Sequence, residues 1–231
     1  MSSATLVCVS VFGGDEDELV GRVSRAIGRG ADLVEVRLDL SEIGDSGKLC
    51  LMLEPFADRL VLTFRPVDEG GKSSHSREER LRLLEKLAGN GVAYVDFELR
   101  YMDAEAGERL RKLCRSLIVS WHNFETTPDT QTLIQTAREC LKHGDIAKIV
   151  TYSHGPEHNF QIISLYTSLP KGKLIAFCMG EKGWITRVLS MAAGAPITYA
   201  SLDDLKTAPG QLTLEEMLEM RDRIMKGVSE D

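Results

Sequence analysis

The 231-residue chain predicts an α/β fold, a (β/α)8 (TIM) barrel formed as a single domain over residues 1–231. Three observations carry that expectation. Eight short runs rich in Val, Ile and aromatic residues recur along the chain, segments of helical period separate them, and the polar residues inside the runs keep one parity. Strand–helix alternation points to a parallel sheet, and eight units is the number that closes such a barrel. A doubly wound open sheet is the rival, but no GxGxxG fingerprint follows the first run. No Pro-, Gly- or Ser-rich linker divides the chain.

The first strand is expected in "TLVCVSVF" (5–12). The helix after it lies in "DEDELVGRVSRAIGRG", where Leu19, Val23 and Ile27 share a face and Gly30 supplies a stop. "LVEVRLDL" (33–40) is the second strand and "LVLTFR" (60–65) the third. The next helix opens with a capping box, Ser76 and Glu79, then places Leu81, Leu84 and Ala88 together. "AYVDFEL" (93–99) and "SLIVSWH" (116–122) follow as strands. In "TPDTQTLIQTARECLKHG" the helix is expected to have Thr127 at its cap, Pro128 in its first turn and Gly144 after its end. "IAKIVTYS" (146–153), "KLIAFCMG" (173–180) and "ITYASL" (197–202) complete the strands, and Thr213 with Glu216 box the start of the last helix.

A hydrophobic content of 43% and a charged content of 27% are ordinary for a globular protein. The net charge of −7 argues against nucleic acid or an anionic membrane as partner, because both need a basic surface. No run of about 18 apolar residues occurs, and "MSSATLVCVS" lacks a basic n-region, so neither a membrane span nor a signal peptide is expected. A cytoplasmic location is the default. Cys8, Cys50, Cys114, Cys140 and Cys178 stand apart, with no CxxC pair or Cys/His cluster of metal-ligand spacing, and read as reduced thiols. Neither a metal nor a cofactor is expected.

Side chains two apart share a face of a strand. Glu35, Arg37 and Asp39 do so in the second run, Thr63 and Arg65 in the third, Asp96 and Glu98 in the fourth, Ser120 and His122 in the fifth. Lys148 follows in the sixth, and Ser10 ends the first. The alternates are Val36, Leu38, Phe64, Phe97, Trp121 and Ile149, which suit the helix-covered side. The polar set is therefore expected inside the barrel, mostly near the strands' C-terminal ends, where such barrels place active sites.

Lys148 carries the chemistry in that setting. A free lysine is only roughly 0.04% neutral at pH 7 and is a poor nucleophile. Burial beside Ile149 and Val150, with Arg37 and Arg65 near, is expected to activate the amine for attack on a ketone or aldehyde. The resulting iminium acidifies the adjacent C–H enough for a histidine to remove that proton, and His122 is the candidate base.

At this point "EVRLD", "TFRPVDEGG", "DFE", "SWHNF", "DIAKI", "MGEKGWITR" and "APGQ" stand in an order and spacing that resemble the type I 3-dehydroquinate dehydratases. The resemblance runs from Ser10 to Gln211 and implies a (β/α)8 barrel, commonly a homodimer, that uses no cofactor. It implies that Lys148 forms an iminium with the C3 ketone of 3-dehydroquinate. His122 would take a proton from C2 and assist loss of the C1 hydroxyl as water, in the pathway to chorismate. Glu69 matches the carboxylate that orients the histidine, and Glu35, Arg37 and Arg65 match residues that hold substrate hydroxyls and shape the pocket. Arg187 matches the partner of the substrate carboxylate, Thr207 and Gln211 match a closing loop, Ser10 a polar strand end, and Met179 a retained pocket methionine.

Some positions depart from the family pattern. Thr207 stands where many members have serine, Tyr199 where phenylalanine is common, and Phe177 in place of a second methionine. Two other readings compete. A class I Schiff-base aldolase acting on sugar phosphates would need a phosphate cradle after strands seven and eight, whereas "LDDLKTAPGQ" brings two acids there. A non-catalytic barrel used as a binding module predicts loss of the lysine or the histidine, and both are present.

Overall fold

Each apolar run forms a strand. In the computed structural model, which describes residues 4–229 apart from positions 90, 204 and 206, strands alternate with helices along the whole chain. The strands are β1 (Leu6–Val11), β2 (Leu33–Arg37), β3 (Leu60–Thr63), β4 (Val92–Glu98), β5 (Cys114–His122), β6 (Ile146–Tyr152), β7 (Leu174–Met179) and β8 (Ile197–Ser201). The helices are α1 (Glu16–Gly28), α2 (Ser46–Leu53), α3 (Arg77–Ala88), α4 (Ala104–Arg111), α5 (Thr130–His143), α6 (Pro156–Ser168), α7 (Ile185–Ala192) and α8 (Leu214–Ser229).

The sheet is parallel and runs β7-β6-β5-β4-β3-β2-β1-β8. It is a nearly closed barrel. Among the described residues no ladder joins β7 to β8. The Gly180 N–H donates to the Pro209 carbonyl (3.2 Å) above that seam, and the rings of Phe177 and Tyr199 meet across it at 6.0 Å.

Two apolar layers hold the barrel. Val9, Val36, Leu62, Phe97, Val119 and Ile149 pack outward against helix residues such as Leu19, Leu49, Leu84 and Leu133. Cys8, Leu33, Val61, Ile118, Ile146, Ile175 and Ile197 plug the lower interior. Each fully buried aliphatic side chain contributes about 1.5–3 kcal/mol relative to exposure. The parity expectation is met except at Asp39, which the turn after Arg37 carries behind the wall: the rest of the polar set shares the inward face with this plug and lies above it.

Three local expectations need correction. α5 begins at Thr130 and is capped by Asp129, whose carboxylate accepts the Thr132 N–H at 3.0 Å. Thr127 is instead buried and donates to the Tyr152 carbonyl (3.0 Å), pinning the loop to the end of β6. β2 stops at Arg37, because Leu38–Leu40 turn as a 3-10 helix, and β3 stops at Thr63. On α1 the fully buried stripe is Leu19, Val23 and Ala26, with Ile27 only partly covered. The Ser76–Glu79 capping box forms as expected.

Candidate active site

Parallel pairing in register sets the polar side chains side by side: Ser10 beside Glu35, Thr63 beside Asp96, Ser120 beside Lys148. They interlock. Lys148 Nζ donates to Asp96 Oδ2 (2.8 Å) and Glu35 Oε1 (3.3 Å), and lies 4.0 Å from the centre of the Tyr199 ring. Glu35 also accepts from Ser10 (2.6 Å) and Thr63 (3.0 Å). The Arg65 guanidinium donates to Asp96 (3.0 Å), Glu98 (2.9 Å) and Ser120 (2.7 Å), and Glu98 joins it to Arg80 of α3 at 2.6 Å. Burial opposes ionisation of Asp96, but Arg65, Lys148 and hydrogen bonds from Lys148 and Ser120 outweigh it and hold its carboxyl well below the usual range. The sequence placed cations beside Lys148; the folded chain adds two carboxylates.

His122, at the end of β5, meets Glu69 through Nδ1 at 3.1 Å, leaving Nε2 as the nitrogen available to a ligand. Both partners move toward their neutral forms. Burial, then the Arg65 and Lys148 charges, hold His122 well below its ordinary value. Burial, reinforced by Glu98 and Asp68 against the pull of Arg65, raises Glu69 to about 7. The contact is thus a hydrogen bond between groups competing for one proton rather than a stable ion pair. Phe124 stacks on His122 (5.8 Å between centroids, 12° between planes) and covers Gly70. Gly70 has φ +76°, which favours glycine, and a Cβ there would lie 2.1 Å from the Phe124 ring and push it off His122.

The opposite wall is apolar, with one charge. Arg187 lies in the first turn of α7, 1% exposed, its guanidinium 4.1 Å from the centre of the Phe177 ring. Among the described residues no carboxylate pairs with it, and its Nε has no hydrogen-bond partner. Burial lowers it to about 10. A buried cation at the positive end of a helix is doubly unfavourable unless an anion arrives. The loop after β8 closes this side: Gln211 donates to the Ala200 carbonyl (2.9 Å) and accepts from the Thr207 N–H (2.9 Å) and hydroxyl (3.3 Å). A Cβ on Gly210, at φ +73°, would strike the Gly180 carbonyl oxygen at 2.4 Å.

These walls line a pocket at the C-terminal end of the strands that is open to solvent on one side.

The chain matches the family model described as "Type I 3-dehydroquinase" over residues 7–226. The chain belongs to the type I 3-dehydroquinase family. A 3-dehydroquinate dehydratase of Pyrococcus abyssi is 41% identical over 203 residues, covering 87% of this chain and 91% of that one. Among solved structures, the 3-dehydroquinate dehydratase of Geobacillus kaustophilus HTA426 superposes with a TM-score of 0.87 at 26% identity, over 97% of this chain and 92% of that one. That of Aquifex aeolicus VF5 gives 0.79 at 29% identity, over 95% and 98%.

The cavity gathers every residue for which the type I 3-dehydroquinase resemblance implied a role: Lys148, His122, Glu69, Ser10, Glu35, Arg37, Arg65, Met179, Arg187, Thr207 and Gln211. It adds Gly70, Phe124, Val150, Phe177, Tyr199 and Ala208. Of these, sequence reasoning missed Phe124; the aromatic next to "WHN" was its only signal. Asp96 was legible as an inward strand residue, though its pairing with Lys148 was not. Of the two acids noted after strand eight, Asp203 forms ion pairs with Arg25 and Arg29, while Asp204, like Lys206, lies outside the described residues. No group of three or more His, Cys, Asp or Glu converges as a metal site among the described residues, and all five cysteines are free thiols. No described helix is long and apolar enough to cross a membrane.

Proposed function

We propose that this protein dehydrates 3-dehydroquinate to 3-dehydroshikimate through a Schiff base on Lys148, within a single catalytic domain over residues 1–231. The observation that carries the reading is one cavity holding a buried lysine, a histidine kept neutral, and a buried arginine with which no carboxylate among the described residues pairs. Membership of the type I family supports the same reaction, as part of aromatic amino-acid biosynthesis.

The substrate carboxylate pairs with Arg187, supplying the anion the guanidinium lacks. This orients the ring with its C3 ketone toward Lys148. Lys148, after giving up a proton to His122, attacks C3 to form a carbinolamine, whose hydroxyl takes that proton back and departs as water to leave the iminium. The positive nitrogen then lies against Asp96, Glu35 and the Tyr199 face, each of which stabilises charge there. His122, through Nε2, removes the C2 proton and gives an enamine. The enamine expels the C1 hydroxyl, which takes that proton from His122 and departs as water. Hydrolysis of the conjugated iminium releases 3-dehydroshikimate and restores Lys148, so one water is lost overall. Glu69 orients the imidazole through Nδ1. Glu35, Arg37 and Arg65 shape the hydroxyl-facing wall, Ser10 buttresses Glu35, and Met179, Thr207 and Gln211 close the far side.

The test is direct. Adding 3-dehydroquinate to the protein should produce enone absorbance, without added metal or cofactor; a flat trace would reject the reading. Homodimerisation is carried over from the family resemblance and a cytoplasmic setting from the sequence, and light scattering of the purified protein tests the first.

A further inference from the structure

We propose that Asp39, standing behind the cavity wall, is a positioning residue that holds Arg37 and the Glu69-bearing loop in one shared geometry. The inference rests on the dehydratase reading above. β2 ends at Arg37 and the chain turns at once through Leu38–Leu40, which swings the Asp39 carboxylate back alongside the arginine that preceded it. Oδ1 accepts the Arg37 Nε–H at 2.9 Å, and Oδ2 accepts from the terminal nitrogen Nη2 at 2.8 Å, a two-pronged pair that fixes the plane of the guanidinium. The same two oxygens accept backbone N–H groups from the β3–α3 loop, Arg65 at 3.3 Å and Lys72 at 3.2 Å.

Those two N–H groups flank the loop's base. Ser73 donates to the Arg65 carbonyl (3.3 Å), and Val67 donates to the Ser73 carbonyl (3.2 Å), so the segment between closes on itself. Glu69 and Gly70 lie at its tip, and Glu69 reaches His122. One wholly buried carboxylate therefore takes four N–H donors, about the number its lone pairs accommodate. Two of them aim a group that lines the cavity, and two set the loop that aims the base's partner. A carboxylate that merely stabilised the fold would need neither target.

The two arms separate kinetically. Asp39→Asn keeps the size and the acceptor oxygen but loses the charge and one acceptor. It should raise KM about tenfold through Arg37 and lower kcat about tenfold through Glu69. Double variants assign each effect. In an Arg37→Ala background Asp39→Asn should no longer raise KM yet still lower kcat, and in a Glu69→Gln background it should do the reverse. Lys72→Pro removes one donor while leaving Asp39 in place, and should lower kcat with KM held, which serves if Asp39→Asn does not fold. Unchanged KM and kcat in Asp39→Asn, additive effects in both backgrounds, or unchanged kcat in Lys72→Pro would each overturn the proposal. Failure of the unaltered protein to produce enone absorbance would instead overturn the dehydratase reading, so the two failures are distinguishable.

Discussion

On the β2–β6 side of the cavity the buried charges run as a chain of opposite-sign partners: Arg80 with Glu98, Glu98 with Arg65, Arg65 with Asp96, Asp96 with Lys148, Lys148 with Glu35. On the β7–β8 side Arg187 has, among the described residues, an aromatic ring and no carboxylate. Both sides are buried, so the difference is not one of solvent. The paired side is already arranged around the nitrogen that reacts, and no reorganisation is required when the iminium forms. The unpaired side retains an electrostatic penalty that only an anionic ligand relieves. Paired burial marks where chemistry is stabilised, and unpaired burial marks where the ligand's own charge belongs.

Stability should expose the contrast most strongly. Asp96→Asn leaves Arg65 and Lys148 facing a neutral amide and should cost about 3–5 kcal/mol in urea unfolding. Arg187→Met removes a buried charge without orphaning a partner and should leave stability unchanged or higher. If Arg187→Met destabilised as much as Asp96→Asn, the distinction between the walls would be lost. Binding comes next. Arg187→Ala should raise KM about 30-fold or more, the loss of a charge-assisted pair, with a smaller change in kcat. An unchanged KM would remove Arg187 from the carboxylate.

The smallest effect concerns pH at the edge of the paired side. Glu69 is raised from 4.5 to about 7, so its contribution to stability is fully present below pH 4.5 and is lost as pH rises through about 7. His122 acts in the opposite sense: held neutral by the fold, its contribution is present above pH 6.5 and lost as pH falls below that value. Glu69→Gln should therefore gain on the parent protein between about pH 5 and 8 in urea midpoints. Equal pH profiles would mean that Glu69 titrates as an ordinary surface acid.

Much of this was legible in the sequence, for physical reasons. Lys148 and His122 stood out because a polar side chain in a period-2 apolar run must have a wet or paired place to point, and the common parity of five strands gave it one. Arg187 had no such signal: it lies in a helix, and only its place in "GWITR" singled it out. Unread altogether were contacts that depend on turns. Asp129 displaced Thr127 as the α5 cap because its carboxylate reaches Thr132, and the 3-10 turn after Arg37 brought Asp39 onto its near neighbour. The open seam between β7 and β8 was likewise invisible, since a strand pattern carries no record of which edges fail to pair.

Reductive trapping addresses the core of the account. With 3-dehydroquinate present, borohydride should fix one ligand-sized mass per chain on the peptide containing Lys148, and Lys148→Ala should take up none. A trapped mass on another lysine, or no mass at all during active turnover, would contradict it.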